Sequence, residues 1–340
     1  MVKYLIGLLI AIVLMAFVPS KNRPKPIKPD SLVLEVLEEL GVDQSAKKPK
    51  NITNANARIG EDLVNRGFSK RDNLKKAKRQ SKHFVCTSCH NVKREDPDLL
   101  SFDPQARLDY VTEKGLPFLQ ATTLYGAINR EHWYNGDYEK KYGDLVKPAR
   151  NDIREAVQLC AVECAQGRRV KDWELESIMA YLWEIGLQIK DLDLSEKEVD
   201  IINDAILNST NQATAAALIT TKYSKESPAT FLLPPDDRSA GSGLEGDPKN
   251  GRLIYEGSCL HCHYQKRYTF FPLDRGKMSF THLSRKIPTY SRQSLYQVVR
   301  WGTFSKFGKQ SYMPRYTEEK MSVQQLADLR AYIDEQAETL

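Results

Sequence analysis

The sequence predicts an all-α protein with two helical units in tandem behind an N-terminal apolar segment. Three observations carry this. No stretch of useful length alternates apolar and polar residues as a half-buried strand requires. Two blocks, about Ala55 to Gly186 and Asp247 to Glu335, share one architecture: a Cys-x-x-Cys-His run near the start and a helix with an Ala-Tyr pair near the end. Between them, Leu233 to Asp237 and Ser239 to Gly243 are rich in Pro, Gly and Ser, the composition of a linker. The chain has 340 residues, 41% hydrophobic and 28% charged. At roughly 100–200 residues per domain, that is enough for more than one packed core.

The elements follow in chain order. Lys3 precedes an apolar run from Tyr4 to Val18, which Pro19, Ser20 and Lys21 end. As a helix that run reaches about 22 Å, short of the ~30 Å hydrocarbon core. A basic start with a short apolar stretch reads as an export signal over 1–20, cleaved after Ser20, with an uncleaved membrane anchor as the alternative. Residues 21–54 read as a Pro-rich tether and a short helix, Ser31 to Leu40, closed by Gly41. Its stripe of Val33, Leu34 and Leu37 predicts docking on the main body. The first unit spans 55–190. It opens with a helix around Ile59 to Val64, and the basic stretch Ser69 to Lys82 follows. It closes with Asp172 to Glu184, where Leu175, Ile178, Met179, Leu182 and Ile185 share one face. Residues 191–246 hold two helices, Leu194 to Leu207 and Gln212 to Lys222, and then the linker. The second unit, 247–340, closes with a helix from Ser322, where Gln325 completes a capping box and Leu326, Leu329 and Ile333 form the buried stripe. The net charge of +6 comes with no clustered recognition helix or nucleic-acid motif, so that class is set aside.

The chemistry concentrates in Cys86-Thr87-Ser88-Cys89-His90 and Cys259-Leu260-His261-Cys262-His263. Two thiols three residues apart reach the two vinyl groups of one porphyrin, and the next histidine then lies under the ring, aimed at the iron. This spacing reads as covalent c-type haem attachment, once per unit, so two haem c per chain. A zinc site wants four ligands, and each run offers three. A thioredoxin-like dithiol belongs on a βαβ pattern, which is absent.

Through Gly251 to His263 the chain resembles class I cytochrome c domains. The resemblance covers most of Asp247 to Glu335 and, more loosely, Ala55 to Gly186. It implies a few helices wrapped around one haem, with Arg292 to Trp301 as the middle helix. It also implies Met313, before Pro314, as the second axial ligand opposite His263. A thioether ligand raises the potential of such a centre. Met278 and Met321 are rivals expected to pack instead. His261 reads as an exposed polar residue. His282 reads as a loop residue, with a propionate contact as its functional option.

The first unit departs from this pattern. No Met-Pro pair follows His90 before the closing helix. Met313 lies 18 residues before Ala331, and 18 before Ala180 is Val162, flanked by Cys160 and Cys164. Asn151 and Asp152 cap a predicted helix over Ile153 to Gln166, with Ile153, Val157, Cys160 and Cys164 on one face and Gly167 ending it. Here the sequence resembles the thiosulfate dehydrogenases and the dihaem subunit of the sulfur-oxidising system. Those proteins have a haem with a cysteine sulfur as distal ligand. The offset from Cys160 to Gln166-Gly167 implies Cys160 as that ligand, opposite His90. Thr122 to Tyr142 does not match those enzymes, and Cys164 is extra. A Cys160–Cys164 disulfide and a distal His132 stand as alternatives. Met179 is expected in the core and His83 on the surface; Trp133, Tyr134, Trp173 and Trp183 are expected to pack.

The function these readings predict is electron transfer in the periplasm or at the outer face of the cytoplasmic membrane, with redox proteins as partners. Electrons run from a low-potential first haem to a His/Met second haem. One alternative is an oxidoreductase acting on a small sulfur anion drawn in by Arg130, Arg154, Arg168 and Arg169. A dihaem peroxidase with His132 as ligand is the other.

Overall fold

The computed structural model describes residues 25–53, 55–69, 78–304 and 311–339. The protein is helical, and the described residues form no strand, only an isolated bridge between Leu32 and Gln188. The apolar run 4–18 and most of the basic stretch after Ser69 lie outside the described residues. Among those described, no helix is long and apolar enough to cross a membrane. The helices are α1 (Val33–Glu39), α2 (Ala57–Arg66), α3 (Pro104–Glu113), α4 (Tyr138–Tyr142), α5 (Val146–Arg150), α6 (Ile153–Leu159), α7 (Asp172–Glu184), α8 (Glu196–Asn208), α9 (Gln212–Thr220), α10 (Pro248–Ile254), α11 (Leu260–His263), α12 (Lys277–Lys286), α13 (Leu295–Trp301) and α14 (Val323–Thr339).

Local chemistry explains the ends. The Asn56 side chain accepts from Ile59 N at 2.9 Å to start α2, and Gly67, at φ 72°, ends it. Asp152 caps α6 through the Arg154 amide at 2.7 Å. The capping box before α14 is present: Gln325 N donates to Ser322 Oγ, and the Gln325 side chain accepts from Ser322 N, both at 3.1 Å.

Two cores repeat one packing device. In the first, α2 crosses α7 at Gly60, and a Cβ there would strike the Ser177 carbonyl and lie 2.8 Å from Tyr181 Cβ. In the second, α10 crosses α14 at Gly251, where a Cβ would strike the Asp328 carbonyl and lie 2.8 Å from Tyr332 Cβ. At each crossing a residue without a side chain on one helix meets a carbonyl and a tyrosine Cβ on the other, so Tyr181 and Tyr332, the tyrosines of the two Ala-Tyr pairs, occupy matching places. Met179 is fully buried in the first core, as expected.

A third, smaller core joins α1 to α8 and α9 through Val33, Leu37, Ile202, Ile206 and Ile219. The two main units are not separate bodies. Although α3 falls within the first block in sequence, its Leu108 and Val111, with Phe118 beyond, pack in the second core beside Ile254 and Leu326. Gln325 donates to the Pro104 carbonyl at 2.8 Å, and the Phe118 amide donates to Gly257 O at 2.9 Å. Beneath this seam Glu95 is fully buried and meets Lys320 Nζ at 3.0 Å and Arg107 Nη1 at 3.6 Å. Asn91 and the Thr123 amide also donate to Glu95, at 2.8 and 3.0 Å.

Candidate functional site

The two Cys-x-x-Cys-His runs are built differently. Cys86–Ser88 forms a 3-10 turn between loops, and His90 N donates back to Cys86 O at 3.0 Å. In the second unit α10 runs on through a π-turn, Tyr255–Cys259, directly into α11. Both histidines are nevertheless oriented in the same way. His90 Nδ1 lies 2.6 Å from Thr122 O, and His263 Nδ1 lies 2.6 Å from Phe271 O. A carbonyl only accepts, so each Nδ1 carries the proton and each Nε2 keeps its lone pair for a metal. Burial holds both imidazoles below the usual histidine range, so they stay neutral. The cysteines form no disulfide, and burial pushes the Cys86 and Cys262 thiols up to about 11. A half-buried, neutral pair of thiols beside an oriented neutral imidazole fits covalent haem attachment at both runs.

The two runs abut. Cys262 Sγ lies 4.0 Å from Ser88 O. His261 is not the exposed residue that its place in the motif predicts. It is half-buried between the runs, bonded to the Thr87 backbone, and burial lowers its pKa to about 4. His282 likewise departs from expectation: it sits on α12 with its ring 5.4 Å from that of Phe271.

Met313 is clamped by Thr303. Met313 N donates to Thr303 Oγ1 and Thr303 N donates to Met313 O, both at 2.8 Å. Met313 packs against the same apolar cluster as Cys259. Its rivals divide: Met321 is buried as expected, whereas Met278 projects into solvent at 88% exposure and packs against nothing in the core.

In the first unit the cysteine pair sits on a feature that the i, i+4 spacing conceals. The spacing predicts one α-helix over 153–166. The helix instead stops at Leu159, and Cys160–Cys164 forms a π-turn closed by Ala165 N donating to Cys160 O at 2.8 Å. Gln166, at φ 53°, ends the turn. Gly167 is needed for room, because a Cβ there would lie 2.9 Å from Ala161 O and strike Gln80. The two thiols hydrogen-bond to each other. That contact, then the Tyr142 hydroxyl and nearby Lys141, favour the thiolate on Cys164 and keep Cys160 protonated.

Tyrosines surround Cys164. Tyr142 OH is 3.5 Å and Tyr134 OH 4.0 Å from its sulfur, and Tyr312 donates to its carbonyl at 2.9 Å. Tyr138 stacks on Tyr142 with ring centres 6.2 Å apart. Sequence reading missed this cage. Its local signal is the i, i+4 pair Tyr138 and Tyr142 on α4; Tyr312 arrives from the second unit, one residue before Met313.

The remaining candidates are occupied elsewhere. His132 Nδ1 pairs with Asn151 Oδ1 at 2.7 Å. Arg154 forks onto Glu176 at 2.7 and 2.8 Å, and Arg168 onto Glu174 at 2.6 and 2.7 Å. Arg169 faces Glu155 at the surface. Arg130 lines a small cleft together with Arg94, Glu95 and Asp96, and the Asp96 and Glu95 carboxylates oppose its charge. Trp133 is buried, and Tyr134, Trp173 and Trp183 pack against the first core. No family model, curated protein or solved structure matches the chain.

Proposed function

We propose that the chain is a dihaem c-type cytochrome of the cell envelope, built of two cytochrome c-like units, whose work is electron transfer from the first site to the second. The observation that carries this is the pair of Cys-x-x-Cys-His runs with both imidazoles turned the same way, Nδ1 onto a carbonyl and Nε2 free. Repetition of the glycine-on-tyrosine helix crossing supports two units of one type. Contact between Cys262 and Ser88 supports transfer within the chain, since the two attachment runs touch. Each group, when bound, supplies one-electron chemistry at its iron. Cys86, Cys89, Cys259 and Cys262 would hold the two groups, and His90 and His263 would be their proximal ligands. Met313 would complete the second site and Cys160 the first. Cys164 already receives the hydroxyls of Tyr142 and Tyr134, whereas no hydroxyl among the described residues engages Cys160, which lies near Cys86. On binding the iron Cys160 would give up its proton, and the resulting anionic sulfur favours the oxidised state, so that site is the lower in potential. The apolar run 4–18 supports an envelope location.

The oxidoreductase reading loses Arg154 and Arg168, which are engaged by carboxylates. Denaturing the full chain in acidified organic solvent tests the proposal: two haems per polypeptide stay attached, and extractable haem overturns it. Ligation is tested separately by electron paramagnetic resonance. Wild type gives the compressed g-values of a thiolate-ligated low-spin centre. Cys160→Ala loses that signal and Cys164→Ala keeps it. Loss in Cys164→Ala alone moves the ligand one turn along, and a change only in His132→Ala removes cysteine from the site.

A further inference from the structure

Charge is distributed unevenly along this chain. Residues 257–304 hold eight Lys and Arg against one acid, Asp274, while the rest of the chain holds 42 against 43. The whole positive excess therefore lies in the stretch that begins at the second attachment run and wraps its site. Lys266, Arg267, Lys277, Arg285 and Arg292 are exposed, and none has a carboxylate partner among the described residues. Ordinary surfaces intersperse the two signs, and here the first half does so: Lys48, Lys140, Lys147 and Arg150 are all paired with carboxylates.

Exposed aromatic residues lie in the same region. Phe270 is 79% and Phe304 91% exposed, with Tyr264 and Trp301 near 45%. Their positions are specific. Tyr264 and Phe270 adjoin His263 and Phe271, the pair that orients the imidazole. Trp301 and Phe304 flank Thr303, the residue that clamps Met313. The loop after His263 reaches the Met313 segment, because Ser311 Oγ donates to Tyr268 O at 3.3 Å. Apolar rings grouped around both axial residues, with unpaired cations beside them, have the anatomy of a protein-docking patch: an aromatic centre with a charged rim. Trp301 ends α13 and the other three rings lie outside the α-helices, so they do not line one face of a basic amphipathic helix, the form that lies in a lipid surface.

We propose that this face is the electron-exit surface of the chain and docks an acidic redox protein, the loop Tyr264 to Phe270 seating the partner and Lys266 and Arg267 steering it. The inference rests on the electron-transfer reading and adds to it the class of partner and the side on which it binds. Steering by unpaired charge acts on encounter and weakens as salt screens it.

The test uses the full chain as it matures, with an acidic blue copper protein and a basic one as probes, both carrying cadmium so that no electron moves. Fluorescence anisotropy is expected to show binding of the acidic probe alone, weakening about ten-fold between about 20 and 200 mM ionic strength. The double change Lys266→Glu/Arg267→Glu lowers affinity roughly ten-fold, Lys266→Arg/Arg267→Lys keeps it, and Lys190→Glu/Lys197→Glu, away from this face, leaves it unchanged. Equal binding of both probes, salt-independent binding, or an unaffected Lys266→Glu/Arg267→Glu protein overturns the proposal. So does binding to phosphatidylserine vesicles that the same double change abolishes, which assigns the face to lipid. Salt-sensitive dimerisation in sedimentation that the same change abolishes also overturns it, since the face then belongs to a second copy. Because the probes are redox-inactive, failure here leaves the haem reading intact, and extractable haem would leave the docking result intact.

Discussion

Glu95→Ala is expected to lower folding stability by about 3–5 kcal/mol, because it strands buried cations without their counter-charge. Glu95, Arg107 and Lys320 are each at most 5% exposed, and Glu95 receives four donors or cations. Burial pushes the Glu95 carboxyl up, but Lys320, Arg107 and the hydrogen bond from Asn91 outweigh it and leave it at about 2. A depressed folded-state pKa contributes stability that is present above the unfolded value, near 4.5, and is lost as pH falls toward 2. Asp96 runs the other way: burial raises it, so it favours the folded state as pH falls. Comparing variants isolates Glu95. Urea unfolding at pH 7 and at pH 3 should show a large deficit for Glu95→Gln at pH 7 and a smaller one at pH 3. A double-mutant cycle with Lys320→Met should return a coupling of about 1–3 kcal/mol. A deficit independent of pH would mean that shape, not charge, matters at this seam.

Gly251→Val and Gly60→Val are expected to be at least as damaging as an overpacked core usually is, about 3 kcal/mol or more. The nearest atoms at both crossings are backbone carbonyls, of Asp328 and Ser177, so no rotamer change relieves the contact. The helices must move apart, and Tyr332 or Tyr181 then loses its seat. Thermal unfolding should fall by roughly 5–10 °C in each variant. Gly257→Ala serves as the control, since the nearest atoms to its added Cβ lie 3.5 Å away at Phe118. A shift as large in the control as in the other two would remove the crossings from the explanation.

These outcomes mark where the sequence was readable. Helix starts were legible because their signals are local: Asp152 before Ile153, and Ser322 with Gln325, cap the helices they announce. The closing stripes were legible because burial follows helical period. The pairing of Ala180-Tyr181 with Ala331-Tyr332 was legible as spacing, although its partner glycines lie at different offsets, 26 residues before Cys86 and eight before Cys259. The π-turn was not legible, because Ile153, Val157, Cys160 and Cys164 keep helical spacing on either geometry. Nor was the fate of His261, which bonds to the Thr87 backbone of the other run. Glu95 carried no pattern either: its salt-bridge partner Lys320 lies 225 residues away. The arginines read as available for an anion were judged by charge alone, and the carboxylates that engage Arg154 and Arg168 come from the next helix.

The position of α3 bears on the order in which the chain acquires its shape. Leu108, Val111 and Phe118 find their neighbours in a core whose other members lie at Ile254 and beyond. Synthesis proceeds from the N-terminus, so this helix emerges with its apolar side uncovered. It stays so until well over a hundred further residues have followed. Ring closure over such a separation is slow compared with pairing of neighbours. The hydrogen bond from Arg107 to Lys320 O, 213 residues apart, is then among the last links made. The late arrival of the C-terminal segment thus completes both halves at once, and a chain halted before it would carry an unfinished seam on its first half.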